Sequence, residues 1–237
     1  MTWSILAHDP ATREFGVAVA TRFFAVGALC PHGDGRFGVL ATQALVNPLY
    51  GGRGLRMLAD GFSASETAAM LTGADPGAAA RQLHVMDARG SVSAHTGGEC
   101  VDWCGHVSGE NVSAAGNMLA GPRVLSATRD AYLAALHLPM AERLMGALEA
   151  GEREGGDKRG KQSASVRVWR GEEHCALDFR TDDHADPLAE LRRLYAAAHE
   201  RYIGFSAALA TRANPAGITD RSEIDAMIAA AAEKRKA

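Results

Sequence analysis

Lysine is absent until Lys158, so arginine supplies all the side-chain cations before it. No concentrated basic stripe forms, which excludes the electrostatic footprint of a nucleic-acid binder. The N-terminus lacks a basic segment followed by an apolar one, so no secretory leader is expected. No uninterrupted apolar run is long enough to cross a bilayer. A cytoplasmic location is the expectation that follows. Cysteine is sparse too: Cys30, Cys100, Cys104 and Cys175. Without a secretion signal these read as free thiols rather than a disulfide framework. Cys100 and Cys104 lie near His95 and His106, but their spacing is unlike a zinc ribbon and Cys100–Val107 reads as strand and turn. No metal and no cofactor are expected. What remains is ordinary globular material: 237 residues, 47% hydrophobic, net charge −3, enough for one large core or two modest ones.

The order of elements is informative. Thr2–His8 alternates, Asp9-Pro10-Ala11-Thr12 is a turn, and Glu14–Phe23 resumes as strand, giving an N-terminal hairpin. Val26–Cys30 and Phe37–Ala44 read as further strand. Gly54–Ala59 reads as a short helix. Ser63 with Glu66 forms a capping box that opens a helix through Leu71. Gln82–Asp87 and Ser91–His95 form another hairpin, and Val107 and Asn111–Ala115 add strand. Gly121-Pro122 opens a helix to about Leu136 with proline at its first position, and Pro139 opens another ending at Gly151. Ser163–Arg170 and Cys175–Arg180 pair as strands. Asp186-Pro187 starts a long helix, and Asp220 with Glu223 caps a terminal one. Strands and helices come in blocks rather than in β-α-β alternation, so antiparallel sheets with helices on their outer faces are expected. Two such sheets stacked together give an α+β fold, a four-layer αββα sandwich. Phe205–Ile218 is the one linker-like stretch.

Four segments are candidates for chemistry. Thr2, if Met1 is removed, has a hydroxyl nucleophile beside a free α-amine that can serve as its base; the alternative is a threonine that follows methionine by accident. A retained Met1 acylates that amine and removes the base. Gly155–Ser165 places glycines, Asp157, Lys158, Arg159, Lys161 and Gln162 before a strand. It is either a ligand-clamping loop or a solvated turn, and it is not a phosphate loop because no Ser or Thr follows Lys161. Asn117, between a strand end and a helix start, either donates to an oxyanion or caps a turn. Thr42 with Gln43, and Thr96, either face a pocket or close buried strand ends.

Thr2-Trp-Ser-Ile, Asp9 with Thr12, Gly16–Arg22, Ala41–Ala44, Arg81-Gln82, His95–Gly97, Gly116–Gly121 and Gly155–Ala164 occur in that order. Together they resemble the bacterial and archaeal family catalogued as domain of unknown function 1028, over about Thr2 to Tyr202. The resemblance implies an N-terminal nucleophile (Ntn) hydrolase-like domain over residues 1–203, followed by a C-terminal tail, 204–237, with one helix. Some relatives add a module similar to a peptidoglycan-binding domain, for which that tail is too short. By that resemblance the chain is an amidohydrolase cleaving an amide of a small carboxylate-bearing substrate, with Thr2 as nucleophile. Asn117 stabilises the oxyanion. Arg22 lowers the amine's pKa or binds a substrate carboxylate, in place of the early lysine of proteasome-type sites. Arg159, Asp157 and Gln162 take the substrate's polar end, beside Thr42, Gln43 and Thr96; Thr42 and Thr96 are also fallback hydroxyls. The other reading is a non-catalytic binding protein that keeps the fold. A small-molecule partner and a homodimer are expected, with no nucleic acid and no membrane.

Overall fold

The computed structural model describes residues 2–234, with side chains to residue 233; Met1 and residues 235–237, and with them the N-terminal processing state, lie outside the described residues. A six-stranded antiparallel sheet runs β10-β9-β2-β1-β8-β7. Its strands are β1 (Thr2–Asp9), β2 (Glu14–Thr21), β7 (Gly105–Gly109), β8 (Val112–Asn117), β9 (Ser163–Arg170) and β10 (Cys175–Thr181). A four-stranded sheet runs β3-β4-β5-β6, from β3 (Pro31–Asp34), β4 (Gly38–Ala44), β5 (Arg81–Asp87) and β6 (Val92–Thr96).

Period-two alternation sorts β1 between two environments. Trp3, Ile5 and Ala7 join a core roofed by α4 (Arg123–Ala134), α5 (Met140–Arg153) and α6 (Pro187–Ala198). Leu6 instead packs between the sheets with Val17, Val19, Val39, Met86 and Trp169. On the far side of the small sheet, Leu40, Leu83 and Val85 pack beneath α2 (Leu49–Ala59) and α3 (Ala64–Gly73). The layers are therefore helix, sheet, sheet, helix, as the element order implied.

Ser63 accepts from Glu66 N while the Glu66 carboxylate accepts from Ser63 N, so the capping box has both its bonds. Several boundaries differ from the sequence reading. Val26–Cys30 is not a strand: Val26–Leu29 forms the helical turn α1. Its Val26 N–H donates to Ser163 Oγ from across the fold, a partner no local pattern reveals. The helix expected at Gly54 begins at Leu49. Pro122 and Pro139 sit at the N-caps of α4 and α5 rather than inside them, and α4 stops at Ala134. The tail has α7 (Tyr202–Ser206), which straddles the expected boundary, in addition to α8 (Arg221–Lys234). A Cβ on Gly204 would sit 2.6 Å from Ile228 Cα, so glycine permits the two helices to meet. Part of the supposed linker thus packs: Ala208 shares a small core with Ile224 and Ile228.

Candidate functional site: a polar seam between the sheets

The antiparallel registers bring together one edge of the sandwich. Thr2 opens β1, Thr21 closes β2 and Asn117 closes β8, and Thr2 stands opposite both in register. Directly paired residues point to the same face, which from Leu6 is the inter-sheet face. Thr2 is 7% exposed and its Oγ1 lies 3.2 Å from Thr21 Oγ1.

Behind Thr2 the inter-sheet space is polar. Ser4 Oγ donates to Gln43 Oε1 at 2.7 Å, and having one hydrogen it must accept from His84 Nε2 at 2.9 Å. His84 Nδ1 then accepts from Ser113 Oγ at 3.0 Å. Gln43 Nε2 donates to Gln82 Oε1 at 2.7 Å, and Asn117 Nδ2 donates to the same oxygen at 3.0 Å. Gln82 Nε2 in turn reaches Thr96 Oγ1, Gly105 O and Gly116 O at 2.8–3.0 Å. Every donor therefore runs in one direction, and the amide orientations are fixed: turning Gln82 over would set its NH₂ against two other NH₂ groups. Burial holds His84 neutral, with its pKa pushed down to about 3 and a smaller push from His106.

The loop of residues 155–162 closes the edge beside Thr21. Gly155 and Gly156 have φ of 101° and 45°, conformations open to glycine, and they deliver Asp157 to the interior. The Asp157 side chain is fully buried and accepts from Arg22 N and Arg159 N, both at 2.8 Å, and from the Arg159 guanidinium. It ties the end of β2 to this loop.

The structure therefore gathers Thr2, Asn117, Gln43 and Thr96 around Gln82, and sets the other candidates elsewhere. Thr42 faces the α2 side and accepts from Asn47 N, so it does not share the seam with Gln43. Alternation along β4 separates the two. Arg22 is exposed and its guanidinium donates to the Lys161 carbonyl at 3.3 Å; Asp157 meets its backbone N–H rather than its charge. Gln162 donates outward to Asp183. Asp157 and Arg159 pair with each other. Ser4, Gln82, His84 and Ser113 were missed as parts of the seam. The available signal was polar residues at strand positions where the alternation calls for apolar ones.

The cysteine segment makes protein contacts. Cys100 Sγ reaches Arg81 O, Cys104 Sγ reaches Cys100 O, His95 meets Ala78 O and His106 meets Thr96 Oγ1. Among the described residues, no three His, Cys, Asp or Glu side chains are grouped to hold a metal ion. No helix in the described residues is long and apolar enough to cross a membrane.

Taken together these features define a four-layer αββα sandwich whose central strand begins on a buried threonine at one end of a polar seam. The chain belongs to a family of unknown function, DUF1028, whose model matches residues 2–191. Protein SPO2555 from Silicibacter pomeroyi, of that family, is 34% identical, with 93% of this chain and 96% of that one covered at a TM-score of 0.86. HslV from Trypanosoma brucei aligns at 9% identity and a TM-score of 0.43, over 71% of this chain and 99% of that one. Anbu, an ancestral beta-subunit from Yersinia bercovieri, aligns at 10% and 0.40, over 84% and 94%. No curated protein matches the chain.

Proposed function

We propose that the protein is an amidohydrolase acting on a small carboxylate-bearing amide through Thr2, once Met1 has been removed. The observation behind this reading is the register that sets the Thr2 hydroxyl between Thr21 and Asn117 at the seam's end. Thr2 Oγ attacks the amide carbonyl carbon while the α-amine takes the hydroxyl proton and passes it to the leaving nitrogen. The resulting ester is cleaved by water, with the same amine accepting the water's proton. An α-amine titrates near pH ~8, so a usable fraction is neutral at pH 7. Asn117 Nδ2 has two hydrogens and gives one to Gln82, which leaves one for the developing oxyanion. Arg22, outside the seam, serves the substrate carboxylate rather than the amine.

The test is covalent labelling. Protein whose loss of Met1 is confirmed by intact mass is treated with a β-lactone, which acylates activated hydroxyls. One adduct, mapped to Thr2 and absent from Thr2→Ala, is the expected outcome. No adduct on a confirmed free Thr2 would refute the reading. A second reading, a binding protein that keeps the fold, is favoured by the placement of Arg22, whose guanidinium meets the Lys161 carbonyl outside the seam. It predicts that β-lactone leaves the processed protein unmodified.

A further inference from the structure

A cavity of about 460 Å³ lies at the other end of the large sheet from Thr2. Ser163, opposite Thr21, and Arg170, opposite Glu14, mark the two ends of β9. Seven residue steps separate them, roughly 23 Å of strand, so the cavity is remote from Thr2. Its volume falls in the range that holds small organic ligands. The walls come from the start of α5, the ends of β9 and β10, the end of α6, and α7 with the loop after it.

The chemistry of those walls is divided. Met140, Val168, Leu177, Ile203 and Leu209 supply hydrocarbon. The polar lining includes Glu14, Arg170, Glu172, His174 and His199. Both carboxylates are already matched. The Glu14 side chain is 8% exposed and takes Arg170 Nε and one terminal nitrogen on Oε1, with Thr12 Oγ1 on Oε2. Glu172 accepts from the backbone N–H and Nε of Arg212. On the cationic side, the second terminal nitrogen of Arg170 has no protein partner among the described residues. His174 is exposed, whereas His199 spends its Nδ1 hydrogen on Tyr195 O, which makes its Nε2 an acceptor. With both carboxylates compensated, the donors left over are on Arg170 and His174, above an apolar floor.

We propose that this cavity is a second, separate binding site, and that its ligand is a small amphipathic carboxylate. The hydrocarbon body lies against Met140, Leu177 and Ile203, and the carboxylate accepts from Arg170 with His174. The buried Glu14 holds the Arg170 guanidinium at the mouth. A cationic ligand of the same shape would meet the Arg170 guanidinium with no uncompensated carboxylate to receive it.

Isothermal titration with octanoate, octylammonium and 1-octanol as probes tests this. Octanoate is expected to bind one site at least tenfold more tightly than octylammonium, with octanol between them. Ala207→Phe fills the cavity from an exposed position without touching the core, and should weaken octanoate at least tenfold. His174→Ala, also exposed, should narrow the octanoate preference. Thr2→Ala should bind octanoate as the parent does, so this site and the Thr2 reading stand or fall separately. Equal binding of octylammonium, no octanoate heat at millimolar concentration, or undiminished binding by folded Ala207→Phe would overturn the proposal.

Discussion

Asn117 and Gln82 are joined amide to amide, Nδ2 to Oε1 at 3.0 Å, with both side chains buried. Asn117 closes a strand of one sheet and Gln82 lies in the other. The bond thus spans the sandwich at the level of Thr2, and it fixes the rotamer of the amide nearest the candidate nucleophile. Replacing Gln82 by Met strands the Gln43 and Asn117 donors and the Gly105 and Gly116 carbonyls. At ~1–3 kcal/mol for a buried unsatisfied group, partly relieved by relaxation, a loss of about 3 kcal/mol in urea unfolding is expected. A loss below about 1 kcal/mol would mean that the network is slack.

His84 makes stability depend on pH. It is neutral in the fold with its pKa at about 3, whereas in the unfolded chain it takes a proton near pH ~6.5. Its contribution is whole above pH 6.5 and is lost as the pH falls toward 3, by about 1.4 kcal/mol per unit. Between pH 7 and 5 that is about 2 kcal/mol. His84→Gln, which keeps a hydrogen-bonding side chain, should flatten the profile by this amount. Burial lowers His8, His32 and His106 as well, but they remain in both proteins, so the difference isolates His84. Parallel profiles would contradict the assignment.

Asp157 anchors the loop that flanks Thr21. Asp157→Asn puts an NH₂ where one carboxylate oxygen now accepts an N–H, and it weakens two charge-assisted bonds. A loss of about 2 kcal/mol is expected, with faster hydrogen exchange at the Arg22 amide, whose bond is at stake. Unchanged exchange there would show that the anchor lies elsewhere.

The hydroxyl at position 2, and not the strand that holds it, should decide reactivity. Thr2→Ser keeps an Oγ and a nearly isosteric fit, so processed Thr2→Ser should still form a β-lactone adduct, and Thr2→Val should not. Adduct formation by Thr2→Val would assign the modification to another residue.

Much of this was legible locally. The hairpin of β1 and β2, the Ser63–Glu66 capping box and the grouping of strands and helices all follow from short-range rules. Asn117 was marked by its place between a strand and a helix, and the structure puts it directly opposite Thr2. The errors share a cause. Val26–Leu29 reads as strand until Ser163 caps it from another part of the chain. Thr42 and Gln43 look like one unit until the pleat sends them to opposite layers.

The sequence by itself determined the layered class, because block order and period-two patterning leave few ways to bury so many apolar faces. It also marked Thr2 as a candidate, since removal of Met1 would put a hydroxyl beside a free α-amine there. Tertiary structure alone decided what surrounds that hydroxyl. Ser4, Gln43, Gln82, His84, Ser113 and Asn117 lie on four different strands and meet only when two sheets stack. A donor finds its acceptor by proximity in space, which spacing along the chain does not encode.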